Sequence, residues 1–255
     1  MALHKIFYKK EKSEGDYEFS IRTNIQAHEL ESLDSLNFTK IKRSEILELT
    51  GKDYQIPNFC KPEVEWEILK EVSKFPPFKG TNAAKPVGEI GVGHLDETFD
   101  KEFMSEEATG DILVKGIHLE AWHVDLSPEG LQPRWIKNKE EFFKKKPEAE
   151  ENAKYERIIG RNTINRASKP RLRFSILPSG YVVTNAIKFI LINEKIGIDK
   201  NYLIALLNSH VLNWRFELFS SQNNIRNYEI GALPIPRIAE EEQRHFILLG
   251  DYLLF

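Results

Sequence analysis

Arg171-Leu172-Arg173-Phe174-Ser175-Ile176-Leu177-Pro178-Ser179-Gly180-Tyr181-Val182-Val183-Thr184-Asn185-Ala186-Ile187-Lys188-Phe189-Ile190-Leu191-Ile192 is the stretch that decides the fold. Branched and aromatic residues fill short runs at 171–177, 181–184 and 187–192, and Pro178-Ser179-Gly180 supplies a hairpin turn between the first two. Residues 155–164 form another run of this kind. Together they read as successive strands that make the central sheet of a domain. Beyond the sheet, Asp199 is placed to cap one long helix, in which Leu203, Leu206, Leu207, Leu212, Trp214 and Phe216 supply apolar surface on more than one side. A last helix is expected over residues 239–254, with Phe246, Leu249 and Leu253 at near-helical spacing.

Ahead of the sheet the pattern is less regular. Residues 4–9 and 17–22 alternate around the charged turn Ser13-Glu14-Gly15-Asp16, as a β-hairpin does. Residues 26–53 read as a connecting region with short helical patterns such as 44–49. Pro62 suits a first helical turn, Val64, Ile68, Leu69 and Val72 fall on one face, and Phe75-Pro76-Pro77-Phe78 stops that helix. Gly88, Gly91 and Gly93 suggest tight turns, and residues 112–115 and 117–124 alternate as strands. Asn138 is placed to cap a short helix through 141–144 that Pro147 ends. The expectation is an α+β chain: a connecting region over residues 1–80, then a mixed sheet with flanking helices over 81–255.

With 41% hydrophobic and 29% charged residues, the chain is globular rather than disordered. Its formal net charge of -3 argues against a uniformly basic nucleic-acid binder, but the charge is segregated. Between Arg134 and Arg173 thirteen Lys and Arg face six Glu, a local balance of +7, which leaves -10 for the rest. The single Cys60 excludes an intramolecular disulfide. No leading apolar segment or run of about 18 apolar residues suggests secretion or membrane insertion, so a cytoplasmic protein is expected.

Arg157, Arg161, Arg166, Lys169, Arg171 and Arg173 crowd into seventeen positions, with Asn162 and Asn165 among them. Arg forks onto guanine and Asn onto adenine in the major groove, while further cations neutralise phosphates. On that reading Arg161, Asn162, Asn165 and Arg166 flank a base-reading loop, and Arg171 and Arg173 track the backbone from a strand. The other reading is a solvated face whose cations pair with Glu148, Glu150, Glu151 and Glu156. The amide-rich segment Ser220-Ser221-Gln222-Asn223-Asn224-Ile225-Arg226-Asn227 is equally open: Gln222, Asn223, Asn224 and Arg226 suit base edges, and a loop of this composition also satisfies its own backbone.

The order of several motifs adds a resemblance. Asn201-Tyr202-Leu203-Ile204-Ala205-Leu206-Leu207-Asn208-Ser209 precedes Ser221-Gln222-Asn223-Asn224-Ile225-Arg226 and then Leu233-Pro234-Ile235-Pro236. Upstream come Gly88-Glu89-Ile90, Leu113-Val114-Lys115-Gly116-Ile117-His118 and Gly180-Tyr181-Val182-Val183-Thr184-Asn185. From about residue 64 onward this resembles the TaqI-like C-terminal specificity domain of adenine-specific DNA methyltransferases and type IIG restriction-modification enzymes. The resemblance implies a target-recognition domain for double-stranded DNA. Its covalently linked or associated methyltransferase domain, alone or beside a nuclease, would hold the S-adenosylmethionine, so no cofactor is expected in this chain.

Catalytic motifs point the same way. Phe75 stands ahead of Pro76-Pro77 where amino-methyltransferases carry an Asn or Asp that accepts from the target amino group, and Phe has no acceptor. No Glu-x-Lys, Asp-x-Lys or Gln-x-Lys triplet of metal-dependent nucleases occurs, and Gly88 to Gly93 lacks the P-loop Lys-Ser/Thr. His94, His118 and His123 match no compact zinc spacing. The expected role is non-catalytic DNA recognition. The alternative is a protein-interaction module that anchors a methylase or a second specificity half through the long helix and the C-terminal helix.

Overall fold

The structure is a computed structural model that describes residues 15–22, 25, 27–35, 38–50, 55–60, 62–127, 129 and 134–254. The fold is α+β, and the chain divides into two compact units. One comprises the described parts of Met1–Phe75 together with Glu217–Phe219; the other comprises Pro76–Phe216 with the described part of Ser220–Phe255. The boundary falls at Phe75, a little before the expected residue 80, because Pro76 and Phe78 belong to the second unit. There Ile235 N donates to Pro76 O at 2.9 Å, Phe78 N donates to Leu233 O at 2.7 Å, and Phe78 is fully buried.

In the first unit β1 (Glu18–Ile21) pairs antiparallel with β2 (Thr39–Lys42), Glu18 opposite Lys42. Residues 4–9, the expected hairpin partner, lie outside the described residues. Helix α1 (Arg43–Thr50) follows directly, and the Asp16 carboxylate accepts from Ser44 N at 2.8 Å and Ser44 Oγ at 2.6 Å. Helix α2 (Pro62–Val72) forms where Pro62 predicts it, but its buried side chains are Trp66 and Leu69, while Val64 and Ile68 are exposed. Trp66 meets Phe59 edge to face at 5.9 Å, and the bulk of that ring pair sets the helix rotation.

The second unit begins with β3 (Gly88–Val92), so the glycine run is a strand rather than a set of tight turns. The glycines make room: a Cβ on Gly91 would come within 2.0 Å of Phe189 Cζ, and one on Gly93, just past the strand, would meet Thr184 O at 2.1 Å. Then come β4 (Met104–Ser105) and β5 (Trp135–Ile136), which pair with each other, and α3 (Lys139–Lys145). Pro147 does not simply end α3; it occupies the first turn of α4 (Pro147–Ala153), where its missing N–H has no consequence. Asn138 sits at the α3 N-cap position with a positive φ and makes no side-chain cap.

Strands β6 (Arg157–Arg161), β7 (Phe174–Leu177) and β8 (Ile187–Ile192) complete a four-stranded sheet in the order β3-β8-β6-β7. The expected mixed sheet is antiparallel at each of its strand pairs, and among the described residues parallel pairing is confined to the bridges Leu95 to Thr184 and Val114 to Val183. Residues 181–184 contribute those bridges rather than a strand. Residues 117–124 are likewise a 3-10 turn (Gly116–His118) followed by one bridge, Leu119 to Val124. Helices then follow as α5 (Lys200–Leu207), α6 (His210–Phe219), α7 (Asn227–Gly231) and α8 (Glu240–Leu254).

Asp199 caps α5 as its sequence position predicts, accepting from Asn201 N at 2.7 Å. The single long helix is instead two, because Ser209 Oγ accepts from Leu212 N at 3.2 Å and starts α6 afresh. Ile158, Phe174 and Ile190 on one side of the sheet share a core with Tyr202, Leu203, Leu207 and Phe216, and Ile159, Leu177, Ile187 and Phe189 share another with Val114 and Val183. Burial on both sides explains why β8 reads as a nearly unbroken apolar run. Among the described residues no helix is long and apolar enough to cross a membrane.

Candidate nucleic-acid interface

Two polar segments that the sequence keeps apart are brought together where β6 ends. Thr163 and Asn224 form an antiparallel bridge, Ile164 N donates to Asn223 O at 3.0 Å, and Ile225 N donates to Asn162 O at 2.8 Å. Side chains stitch the same seam. Thr163 Oγ1 donates to Asn224 Oδ1 at 2.8 Å, and Arg166 N donates to Asn223 Oδ1 at 3.1 Å. Ile164 and Ile225 are buried beneath it, which ties the polar surface to the core of the unit. Asn165, Arg166, Lys169, Gln222, Asn223, Asn224 and Arg226 are exposed on the resulting platform.

The arginines sort by burial in a way the sequence does not reveal. Arg157 was expected to face DNA but is buried, donating to Asn152 O and, at 2.6 Å, to Tyr181 O; burial lowers its guanidinium to about 10. Arg171, expected to track a phosphate backbone, is buried too. It donates to Ser220 Oγ at 2.9 Å and to Gln222 O, with its guanidinium 5.0 Å from the Phe216 ring. Both are corrected to internal struts, since a buried guanidinium that donates to carbonyls or a hydroxyl inside the fold has little left for DNA.

Arg161 and Arg173 are intermediate. Each donates to one oxygen of Glu120 at 2.5 Å and through Nε to a carbonyl, of Leu119 and Pro170 respectively. The pairing carboxylate is thus Glu120, not the Glu148 to Glu156 group, whose described ion pairs are Glu151 with Lys154 and Glu156 with Lys200. Asn162 donates its amide to Asn185 O at 2.9 Å and serves the loop's own geometry. Of the described arginines in these two segments, Arg166 and Arg226 are the ones whose exposed guanidinium groups have donors to spare: no hydrogen bond or ion pair of the Arg166 side chain occurs among the described residues, and Arg226 gives one bond to Gln222 Oε1 at 3.1 Å.

Three residues here escaped the sequence reading. Glu120 had no visible partner because its arginines lie more than forty positions away. Tyr228, 64% exposed at the start of α7, directly follows the amide-rich segment, and an aromatic beside Arg226 and Asn227 was the available signal. Lys188 is a lone charge in an apolar strand, which should have drawn notice. It is 2% exposed, donates to Asn227 Oδ1, and Asn227 Nδ2 donates to Ile90 O at 3.0 Å, so it anchors the first turn of α7.

Burial, aided by the nearby Arg226 and opposed by Glu229, lowers Lys188 from 10.5 to about 8. Between those values the unfolded chain binds more protons, so this residue's penalty on the fold is present at neutral pH and relieved as pH rises through about 8. We therefore expect the urea midpoint of the second unit to rise from about pH 7 to about pH 9.5 by more in the wild type than in Lys188→Met. Parallel profiles for the two proteins would remove Lys188 as the cause.

Elsewhere the geometry offers little chemistry. His94 packs near Phe189 and meets Asn152 Nδ2 at 2.9 Å, His118 is buried with Nδ1 accepting from Lys115 N at 3.2 Å, and His123 is exposed. No group of three His, Cys, Asp or Glu among the described residues is arranged to hold a metal ion. An open groove of about 800 Å³ lies at the far end of β6 and β8, lined by Ile158, Ile176, Ile190, Asn193 and Lys200, away from the paired loops. No protein-family model matches the chain, and a search of curated proteins finds no match.

Proposed function

We propose that the second unit is a DNA-reading module: the sequence-recognition part of a cytoplasmic restriction-modification enzyme, linked to or associated with an adenine-N6 methyltransferase domain. The observation that carries this reading is the seam between residues 162–166 and 222–226, which assembles exposed amides and two guanidinium groups with donors to spare on one hydrogen-bonded platform. Rigid, donor-bearing loops on a scaffold of buried strands are what direct readout of base edges requires. The parent's methyltransferase domain would bind S-adenosylmethionine and extrude the target adenine, while this module fixes the register. Selection by the purified chain from a pool of randomised duplexes is expected to enrich a short consensus of a few base pairs; a pool that stays random through repeated rounds contradicts the proposal.

One feature favours a second role beside the first. Helix α8 leaves Leu248, Leu249 and Tyr252 exposed, at 60, 49 and 80%, on the side away from buried Gln243 and Gly250. An apolar stripe of this kind suits a helix of a partner protein, so the anchoring reading attaches to α8. It does not extend to α5, whose apolar side chains are spent inside the core.

A further inference from the structure

We infer that the paired loops select guanine at the bases they contact. The inference rests on the DNA-reading function proposed above and adds a rule for which edge is read. It follows from the hydrogen bonds that the exposed amide oxygens of the platform accept. Asn165 Oδ1 accepts from Ala167 N at 2.9 Å, and Asn223 Oδ1 accepts from Arg166 N at 3.1 Å. Because a backbone N–H can only donate, both amides are fixed with oxygen inward and Nδ2 available. Asn224 Oδ1 is engaged by Thr163 Oγ1, and Gln222 Oε1 by Arg226. Each of the four amide oxygens therefore already accepts one hydrogen bond, whereas Arg166, the remaining donors of Arg226 and the Nδ2 groups of Asn165 and Asn223 are unspent.

A donor-rich platform matches an acceptor-rich edge. In the major groove guanine offers O6 and N7 and no donor, whereas adenine and cytosine each present an amino group that needs an acceptor. The bidentate Asn-to-adenine contact requires an amide with both oxygen and nitrogen available. The oxygens of Asn165 and Asn223 each already accept one backbone N–H and keep a single lone pair, so the two-handed contact to adenine that their residue type suggests in the sequence is weakened, while Nδ2 is unspent. Guanine, approached by Arg166 or Arg226 and supported by an amide N–H, is the partner that leaves fewest groups unsatisfied.

The test uses the 255-residue chain at about 50 mM salt and the tightest-binding duplex from a randomised pool. Replacing a consensus guanine with 7-deazaguanine, which removes N7, is expected to weaken binding about tenfold, and inosine, altered only in the minor groove, is expected to leave it unchanged. Asn223→Asp keeps the acceptor for Arg166 N and turns the available donor into an acceptor, so the guanine preference at one position should fall by about tenfold whatever happens to total affinity. A consensus without guanine, or full tolerance of 7-deazaguanine, overturns the inference while DNA reading stands. Absence of binding to every duplex overturns the DNA reading itself, and the guanine rule with it.

Discussion

Arg171→Ala is expected to destabilise the second unit by about 3 kcal/mol, the cost of leaving buried partners unsatisfied and a void beside an aromatic ring. In the folded chain this side chain is 2% exposed, holds Ser220 Oγ and Gln222 O, and lies against Phe216. Alanine removes both donors at once. The carbonyl of Gln222 and the hydroxyl of Ser220 then lose their partners, and the segment that pairs with residues 162–166 loses its tether at one end. Arg171→Met, which keeps the stem volume without the donors, should recover roughly a third of that loss. Urea denaturation of the three proteins measures this, and a shift below about 0.5 kcal/mol for alanine would mean that Arg171 is not a strut. DNA affinity of Arg171→Ala should fall for all sequences alike, because the whole platform moves rather than one contact.

Arg166→Ala and Arg226→Ala are expected to behave in the opposite way, leaving stability within about 0.5 kcal/mol of wild type because both side chains are exposed. Their cost appears in binding. A guanidinium that reads a base is worth about 1 to 3 kcal/mol at one position, so each variant should relax the sequence preference there by roughly tenfold or more. A guanidinium that only meets a phosphate should instead weaken every sequence equally and reduce the salt slope by about one. Titrations of both variants against a selected duplex and a scrambled one separate the two cases. If neither affinity nor preference changes in either variant, the exposed guanidinium groups of this platform have no part in binding.

These contrasts mark what the sequence could and could not convey. The strands at 157–161, 174–177 and 187–192 were legible because short runs rich in branched and aromatic residues, bounded by turn residues, reflect burial on both faces. The Asp199 cap was legible because its hydrogen bonds are local. The break at Ser209 was hidden, since an apolar pattern that continues through a cap does not announce one. Arg157 and Arg171 resemble Arg166 in sequence yet lie inside the fold. Their fates are decided by carbonyls and hydroxyls 5 to 51 residues away, Asn152 and Tyr181 for one, Ser220 and Gln222 for the other. Both polar segments were visible as composition; that they would form one seam, with Asn223 oxygen turned inward, is a tertiary fact that no local pattern encodes.

Equilibrium binding of the purified chain to duplex DNA across a range of salt concentrations tests the central claim most directly. The expected result is measurable binding at about 50 mM salt, with the logarithm of affinity falling linearly against the logarithm of salt concentration as the contacted phosphates release their counterions. No detectable binding to any duplex at that salt, with the chain folded, would contradict the assignment of this platform to DNA.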